Sequence, residues 1–191
     1  MSDTDQDLIE AIRAGNPRRF SVLVDRHKDR AMTLALRIVG ERGAAEELVQ
    51  DAFLRAYRGL EKFRGDAKFS TWFYRILYNV CMTRVLRRPK EKVEWSDDDM
   101  RTLDVADQDV PSAQERMEAE EMQALLKEEL ARIPQAFRSA LTLFYVQELS
   151  YEEMASVLEM PLGTVKTNLS RGRVLLRKRV MERLNEEVHA A

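Results

Sequence analysis

Residues 149–173, LSYEEMASVLEMPLGTVKTNLSRGR, combine hydrogen-bond donors with a spacing that is typical of DNA recognition. Lysine and arginine donate to guanine acceptors or to phosphates, and short hydroxyl side chains let a helix approach base edges closely. A helix that carries them fits a major groove about 12 Å wide, and Gly172 adds little bulk there. The pattern predicts a helix that reads duplex DNA through Thr164, Lys166, Thr167, Ser170, Arg171 and Arg173.

Two short helices must position these donors. Ser150 and Glu153 have capping-box spacing, which predicts a helix start. Apolar residues then recur at helical spacing until Glu159-Met160-Pro161, where proline disfavours helical geometry in the preceding residue. A second start follows Pro161-Leu162-Gly163. The segment therefore predicts a helix-turn-helix, with an ordinary helical hairpin carrying a solvated basic face as the alternative.

The composition favours an all-α protein. The chain has 191 residues, of which 45% are hydrophobic and 34% charged, with few glycines and prolines. No apolar run is long enough to span a membrane, and the polar start MSDTDQDLIE lacks the features of a signal peptide, so a cytoplasmic location is expected. Cys81 cannot form an internal disulfide and is interpreted as a core residue. With only two distant histidines, no metal site and no cofactor are predicted.

Charge alternates in blocks along the chain, although the net charge is only −2. Residues 55–92 are strongly basic, residues 94–121 are strongly acidic, and residues 166–183 contain Glu182 as their one acid. Binding to nucleic acid depends largely on neutralising phosphates. The two basic blocks therefore indicate two separate contacts with nucleic acid.

The blocks coincide with a division into two small helical domains. Helices are predicted over about 5–14, from a start at Pro17 through Phe20 up to Gly40, over about 44–60, and from a cap at Ser70 or its neighbour to a point before Pro89. These helices form a domain over residues 1–88. Residues 89–111 lack periodicity and predict a flexible acidic linker. A capping box at Ser112 and Glu115 begins the second domain, residues 112–191, which contains four helices including the helix-turn-helix.

The first domain carries the second basic site. Eight of the fourteen aromatic residues lie between positions 53 and 78, interleaved with arginines. Aromatic rings stack with unpaired bases at about 1–3 kcal/mol each, while cations follow the backbone. The alternative is that most of these rings form an ordinary core stripe. The better candidates for single-stranded nucleic acid are the loop FRGDAKF and a neighbouring amide, namely Phe63, Arg64, Gly65, Lys68 and Asn79.

Together these segments resemble a known family. DAFLRAYRGLEKFRGDAKFSTWFYRILYN resembles conserved region 2 of the extracytoplasmic-function (ECF) sigma factors, which form group IV of the bacterial housekeeping-type sigma factor family. LSYEEMASVLEMPLGTVKTNLSRGR resembles their region 4, and the likeness covers nearly the whole chain in the right order. The resemblance implies a non-enzymatic protein that binds core RNA polymerase and directs promoter recognition, DNA opening and transcription initiation.

The resemblance also implies roles for particular residues. The recognition helix is expected to read the minus-35 element, and region 2 to capture an unstacked base of the minus-10 element through Arg55, Phe63, Arg64, Gly65 and Asn79. A further face is expected to contact the coiled coil of the polymerase clamp through Leu48, Val49, Gln50, Asp51 and Phe53, although a merely solvated surface would also explain Gln50 and Asp51.

The linker and the partners leave alternatives open. The resemblance implies that the acidic linker threads through polymerase channels, whereas a simple tether explains its composition equally well. It also implies control by an anti-sigma factor. The main rival is a dimeric operator-binding regulator with a sensing domain over residues 1–88. An enzyme is disfavoured because the chain has no Ser/His/Asp, Cys/His or phosphate-loop arrangement.

Overall fold

A computed structural model describes residues 3–87 and 113–190 of the chain. Within these ranges the chain is helical and contains no strand, which confirms the all-α fold predicted from the sequence. The eight α-helices are α1 (Asp5–Arg13), α2 (Phe20–Val39), α3 (Arg42–Gly59), α4 (Phe69–Leu86), α5 (Ala113–Arg132), α6 (Gln135–Tyr145), α7 (Tyr151–Leu158) and α8 (Leu162–Ala190). Short 3-10 turns lie at Pro17–Arg19 and Leu60–Lys62.

Local signals account for three helix ends in the first half. Thr4 and Asp7 form a capping box at the start of α1. Gly40 ends α2 with φ 77°, a left-handed conformation that glycine adopts without steric cost. The carboxylate of Glu41 accepts hydrogen bonds from the amides of Gly43 and Ala44, at 2.8 and 3.0 Å, and so caps α3.

One predicted cap is wrong. The fourth helix begins at Phe69, its N-cap is Lys68, and no side chain caps it, so Ser70 lies inside the first turn. The ring of Phe69 is buried against Phe63 and Phe73. Burying this ring starts the helix two residues earlier than a cap at Ser70 indicates, because packing free energy exceeds the contribution of one exposed cap.

Helices α2, α3 and α4 pack together and enclose an aromatic core. The rings of Phe53 and Phe73 stack with centroids 4.3 Å apart. Tyr74 is buried, and so is Cys81, as its interpretation as a core residue requires. Burial raises the pKa of Cys81 to about 12, so the thiol stays protonated and unreactive at neutral pH. Core packing thus explains much of the aromatic density in this part of the sequence.

The second half forms its own helical bundle, in which α8 packs against α5, α6 and α7. Glu129 of α5 is buried, and its carboxylate pairs with Arg132 and with Arg179 of α8. The distance from Arg179 Nε to Glu129 Oε2 is 2.7 Å. This triad ties the first helix of the bundle to the last.

The two halves also contact each other, since α4 packs against α7 and α2 packs against α6. The predicted linker over residues 89–111 and the predicted cap at Ser112 lie outside the described residues, so both stay predictions. Among the helices that are described, none has the length and apolar character needed to cross a membrane.

Candidate nucleic-acid interface

The turn between α7 and α8 is built by the cap that the sequence predicts. Ser150 Oγ accepts a hydrogen bond from the amide of Glu153 at 3.2 Å, and the carboxylate of Glu153 accepts one from the amide of Ser150 at 2.9 Å. Helix α7 ends at Leu158, and Glu159 follows in the left-handed conformation with φ 54°. Helix α8 begins three residues later at Leu162. The predicted helix-turn-helix is therefore present.

The first turns of α8 present the predicted donors unevenly. Thr164, Lys166, Thr167 and Arg173 are exposed, whereas Ser170 and Arg171 are half-buried. Val165 and Leu169 are buried on the opposite face and hold the helix against the bundle. The exposed side chains lie toward the N-terminal end of the helix, where recognition helices contact base edges.

Two of the cations on α8 lie over aromatic rings. Lys166 Nζ is 5.6 Å from the ring centroid of Tyr151, and the guanidinium of Arg173 is 5.1 Å from Phe144 and 5.4 Å from Tyr145. Contacts at these distances are attractive and restrict the side-chain conformations. The rings therefore hold both cations close to the helix surface.

Gly172 has a different role from the one predicted. It is buried, and a Cβ atom placed there would lie 3.2 Å from Phe137 Cβ and 3.2 Å from Leu141 Cδ1 of α6. The absence of a side chain lets α6 and α8 approach closely. Gly172 therefore serves packing inside the bundle, because it faces away from the exposed donors.

The second candidate site lies along α4. Lys68, Thr71, Arg75 and Asn79 are separated by three, four and four residues, so they share one face of the helix. Lys68, Arg75 and Asn79 are exposed, and Thr71 is buried. We call these four residues the α4 face. Sequence reasoning selected Lys68 and Asn79 but missed Thr71 and Arg75, which the helical spacing from Asn79 identifies.

The loop before α4 places its predicted residues in two environments. Arg64 and Gly65 are exposed, and Gly65 has φ 80°, a conformation that favours glycine. Phe63 is buried, and its ring packs against Phe69 and Trp72 with centroids 6.2 and 5.0 Å away. Its ring therefore supports the loop from below and offers no exposed face for stacking.

Helix α1 holds the start of this loop. The guanidinium of Arg13 donates to the carbonyl oxygen of Leu60 at 2.8 Å and also to that of Phe63. These bonds join residues almost fifty positions apart in the chain, so sequence spacing offers no signal for them. They fix the point at which the chain leaves the 3-10 turn.

Comparison with known proteins connects this geometry to a family. The family model described as Sigma-70 region 2 matches residues 23–91, and the model described as Sigma-70, region 4 matches residues 123–176. The RNA polymerase sigma-H factor of Pseudomonas aeruginosa is 34% identical over 188 residues, which are 96% of this chain and 97% of that protein. The chain belongs to the ECF sigma factors. The ECF RNA polymerase sigma-E factor of Escherichia coli K12 is 32% identical over 181 residues, which are 93% of this sigma factor and 94% of that one.

Solved structures share the fold of this sigma factor across both halves. CnrH, solved in complex with the cytosolic domain of CnrY, has a TM-score of 0.66 at 23% identity, covering 92% of this chain and 96% of CnrH. The sigma factor RpoE of Bartonella quintana, solved with the anti-sigma factor NepR, has a TM-score of 0.62 at 20% identity, covering 85% and 96% of the two chains. Region 2 of this sigma factor thus comprises most of α2, with α3 and α4, and region 4 includes the helix-turn-helix.

The polymerase-binding residues predicted on α3 divide into buried and accessible ones. Val49 and Phe53 are buried, Leu48 and Asp51 are half-buried, and Gln50 is exposed. Asp51 pairs with Arg55, one turn along the helix, at 2.9 Å. This hydrogen bond and the charge of Asp51 raise the pKa of Arg55. Arg55, predicted for DNA, and Asp51, predicted for polymerase, therefore form one surface pair.

An apolar groove runs beside these residues, between α2 and α3. Phe20, Val24 and Phe53 line it together with Leu54 and Tyr57. Leu54 is 55% exposed and Tyr57 is 43% exposed, so the groove presents a large aliphatic and a large aromatic side chain next to each other. Sequence reasoning placed Tyr57 on the apolar side of its helix and did not select Leu54, because the helical pattern alone does not show which apolar residues remain uncovered.

Proposed function

We propose which surfaces of this ECF sigma factor bind the minus-35 element, the minus-10 element and core RNA polymerase. As a member of the family, the chain is a non-enzymatic initiation factor that binds core RNA polymerase and directs it to promoters. The observation that carries the residue-level proposal is the pair of separate donor surfaces, one on α8 and one on the α4 face with its preceding loop. Helix α8 suits the major groove of duplex DNA, and the basic α4 face with its loop suits single-stranded DNA. A promoter contains both forms of DNA once it opens.

Helix α8 is proposed to read the minus-35 element as duplex. Its exposed residues Thr164, Lys166 and Thr167 supply direct contacts at the N-terminal end of the helix. Ser170, Arg171 and Arg173 follow one to two turns later and extend the contact along the groove or to phosphates. The cations position the helix on the DNA, and the short hydroxyl side chains let it approach the bases.

The loop and the α4 face are proposed to hold the minus-10 element after it becomes single-stranded. Arg64 and Lys68 are exposed cations for the backbone, and the amide of Asn79 suits hydrogen bonding to the edge of an unstacked base. Gly65 keeps the loop close to the strand, and Arg55 extends the basic surface from α3. Phe63 contributes from beneath, by holding the loop in place.

The groove between α2 and α3 is proposed as the contact with the polymerase clamp, together with Leu48 and Gln50. Aromatic side chains such as Tyr57 are typical anchors of protein interfaces, and Leu54 adds exposed apolar area beside it. Val49, Asp51 and Phe53 would act there by shaping the groove from within or beside it. An anti-sigma factor that covers this groove would block polymerase binding, which is the control proposed for this chain in the cytoplasm.

In vitro transcription tests the proposal. Purified bacterial core polymerase is incubated with a pool of promoter fragments, with and without the protein, and start sites are mapped. We expect start sites that appear only with the protein and share minus-35 and minus-10 motifs. Specific duplex binding by the protein alone, with no initiation from a sound core preparation, would instead support the operator-binding regulator.

A further inference from the structure

Three aromatic rings lie together beside α8, at the point where α6 ends and α7 begins. Phe144 and Tyr145 are the last two residues of α6, and Tyr151 is the first residue of α7. The rings of Phe144 and Tyr151 stack with centroids 5.5 Å apart, and the ring of Tyr145 meets that of Phe144 edge-on at 5.0 Å. We call these three residues the aromatic strip. Tyr145 is 55% exposed, so the strip extends to the protein surface.

Two cations of α8 lie over the aromatic strip. Lys166 lies over Tyr151, and Arg173 lies over the other two rings. The two cations are seven residues apart, so they share one edge of the helix, about 10 Å apart along its axis. The strip therefore holds a pair of positive charges along one edge of α8.

The rings hold these cations without neutralising them. In the described part of the chain, no carboxylate forms an ion pair with Lys166 or Arg173. Arg179, further along the same helix, pairs instead with the buried Glu129. An aromatic ring attracts a cation through its quadrupole and has no net charge, whereas a carboxylate cancels the positive charge. Because Lys166 and Arg173 are also exposed, their charge stays available to an external anion.

The position of the two cations on α8 suits phosphate better than bases. Thr167 lies two residues from each of the buried Val165 and Leu169, so it points away from the bundle and toward a groove. At about 100° per residue, Lys166 and Arg173 lie about 100° and 120° to one side of Thr167. A side chain at that edge meets the backbone that borders the groove before it meets a base edge.

We propose that Lys166 and Arg173 grip the phosphates of one strand beside the minus-35 element, and that the aromatic strip positions them for this contact. Bases are then read by Thr167, Ser170 and Arg171, which lie nearer the centre of the groove-facing side of α8. The rings are positioning residues, since they act through the two cations. The proposal rests on the assignment of α8 to the minus-35 duplex.

Holding the cations before DNA arrives raises affinity. Lysine and arginine have long, flexible side chains, and ordering one of them on binding costs free energy. A cation that already rests on a ring has lost part of this freedom in the free protein. The strength of an exposed contact between a cation and a ring corresponds to about a two- to fivefold gain in binding. Because phosphates carry no sequence information, the gain applies equally to every DNA sequence.

Binding of the holoenzyme to promoter duplex tests the phosphate contacts. The probes are fluorescent promoter fragments that carry the minus-35 element found by start-site mapping, either intact or with single base changes. Affinity is measured at low temperature and at several salt concentrations. We expect Lys166→Met to weaken binding to all fragments by the same factor, and to reduce the slope of log affinity against log salt by about 0.9, because one phosphate contact is lost. Arg173→Met should do the same.

Two variants serve for comparison with Lys166→Met. Lys127→Met removes one exposed positive charge from α5 and is the matched control, which should leave the salt slope and the ranking of the fragments unchanged. Thr167→Val removes a hydroxyl from the groove-facing side of α8. It should change the ranking of the fragments and keep the salt slope, since it alters base reading and not a phosphate contact.

A double-mutant cycle tests the role of the ring. We expect Tyr151→Leu to weaken binding about two- to fivefold without changing the ranking of the fragments, and to have no further effect when Lys166→Met is present. A merely structural role of Tyr151 would weaken binding equally in both backgrounds. Tyr151→Phe keeps the ring and should restore the coupling with Lys166, because the face of the ring lies under the cation.

Any of three results would overturn the proposal. A changed ranking of the fragments in Lys166→Met makes Lys166 a base reader. An unchanged salt slope in that variant means that Lys166 does not contact phosphate. Additive effects of Tyr151→Leu and Lys166→Met mean that the ring does not position the cation. Failure of the assignment of α8 looks different, because the wild-type holoenzyme would then bind equally well to fragments with the minus-35 element intact or changed.

Discussion

Gly172 shows how a single position on α8 affects the whole bundle. A Cβ atom at this position would lie 3.2 Å from atoms of Phe137 and Leu141 on α6, so a side chain must displace one of these residues. Gly163 lies near the start of the same helix, and a Cβ atom added there meets no atom within 4 Å. The two glycines are therefore a matched pair for separating packing from helix propensity.

We expect Gly172→Leu to lower the free energy of unfolding by about 1–3 kcal/mol or more, because the new side chain overpacks the junction of α6 and α8. Gly163→Ala should leave stability unchanged or raise it by up to about 1 kcal/mol through better helix propensity. Urea denaturation followed by circular dichroism measures both. Equal stability of the two variants would show that α6 moves aside without cost.

Substituting Arg171 tests whether α8 reads the minus-35 element. Replacing it with alanine should weaken transcription from promoters that depend on the minus-35 element, since one good contact to a base contributes about 1–3 kcal/mol of discrimination. The measurement is run-off transcription on promoters with the element intact or replaced. Core polymerase binding should be unchanged, and its loss would mean that Arg171, which is half-buried, is structural.

At the scale of elements, α1 is held against α2 by charged contacts. Asp5 accepts hydrogen bonds from His27, at 2.8 Å, and from Arg26. Burial raises the pKa of the Asp5 carboxyl, but the bonds from His27 and Arg26 outweigh it, so the pKa lies below its ordinary value. Because Arg13 on the same helix holds the loop at Phe63, docking of α1 also supports the candidate minus-10 site.

A depressed carboxyl pKa predicts how stability depends on pH. The contribution of Asp5 is fully present above the ordinary aspartate pKa of about 4 and is lost as pH falls through the lower folded value. Asp5→Asn should therefore cost about 1 kcal/mol at neutral pH and progressively less below pH of about 4. Asp25→Asn is the control, because Asp25 is largely exposed and pairs with Lys28 on its own helix. Thermal unfolding between acidic and neutral pH measures the difference, and a constant difference would contradict this account.

Asn79 tests what the α4 face does in the holoenzyme. We expect Asn79→Ala to slow promoter opening more than it weakens the closed complex, because the amide contacts a base only after that base leaves the stack. Permanganate footprinting of unpaired thymines reports opening, and DNA binding by the holoenzyme at low temperature, before the strands separate, reports the closed complex. Lys127→Gln, an exposed change on α5, is the control. An unchanged opening rate would remove Asn79 from the base-capture site.

At the scale of the whole molecule, α4 packs against α7 and α2 packs against α6. Buried apolar residues of both halves form one cluster, and ion pairs such as Arg75 with Glu159 and Arg30 with Glu148 add polar contacts between the halves. Tyr78 of α4 is buried at this junction. Burial raises the pKa of its phenol, partly offset by the hydrogen bond with Ser139 of α6. Tyr78 thus links the core of the first domain to the second.

Removing that link should loosen the molecule without unfolding either half. We expect Tyr78→Phe to lower the free energy of unfolding by about 1 kcal/mol, the usual net contribution of one hydrogen bond. It should also lower the energy transfer between dyes attached at Arg42→Cys and Ser156→Cys, two exposed positions, one in each half. Tyr57→Phe is the control, because Tyr57 is exposed in the groove of α2 and α3. If both variants behave alike, the Tyr78 hydroxyl does not contribute to the junction.

Much of the local structure follows from the sequence. The helical periodicity, the capping box at Ser150 and the left-handed glycine after α2 depend on residues within a few positions of one another, so spacing alone predicts them. The exposed donors at the start of α8 follow for the same reason. The resemblance to the ECF sigma factors, which rests on two motifs, is confirmed by the family matches.

Only the tertiary structure decides which of these residues face outward and what covers them. Phe63, Val49 and Phe53 were predicted as contact residues and are buried, whereas Leu54 and Tyr57 are exposed. Gly172 faces α6, and α7 covers the α4 face. Helical spacing shows which residues share a face, but burial depends on which other element packs there. Contacts such as Arg75 with Glu159, 84 positions apart, exist only after distant parts of the chain meet.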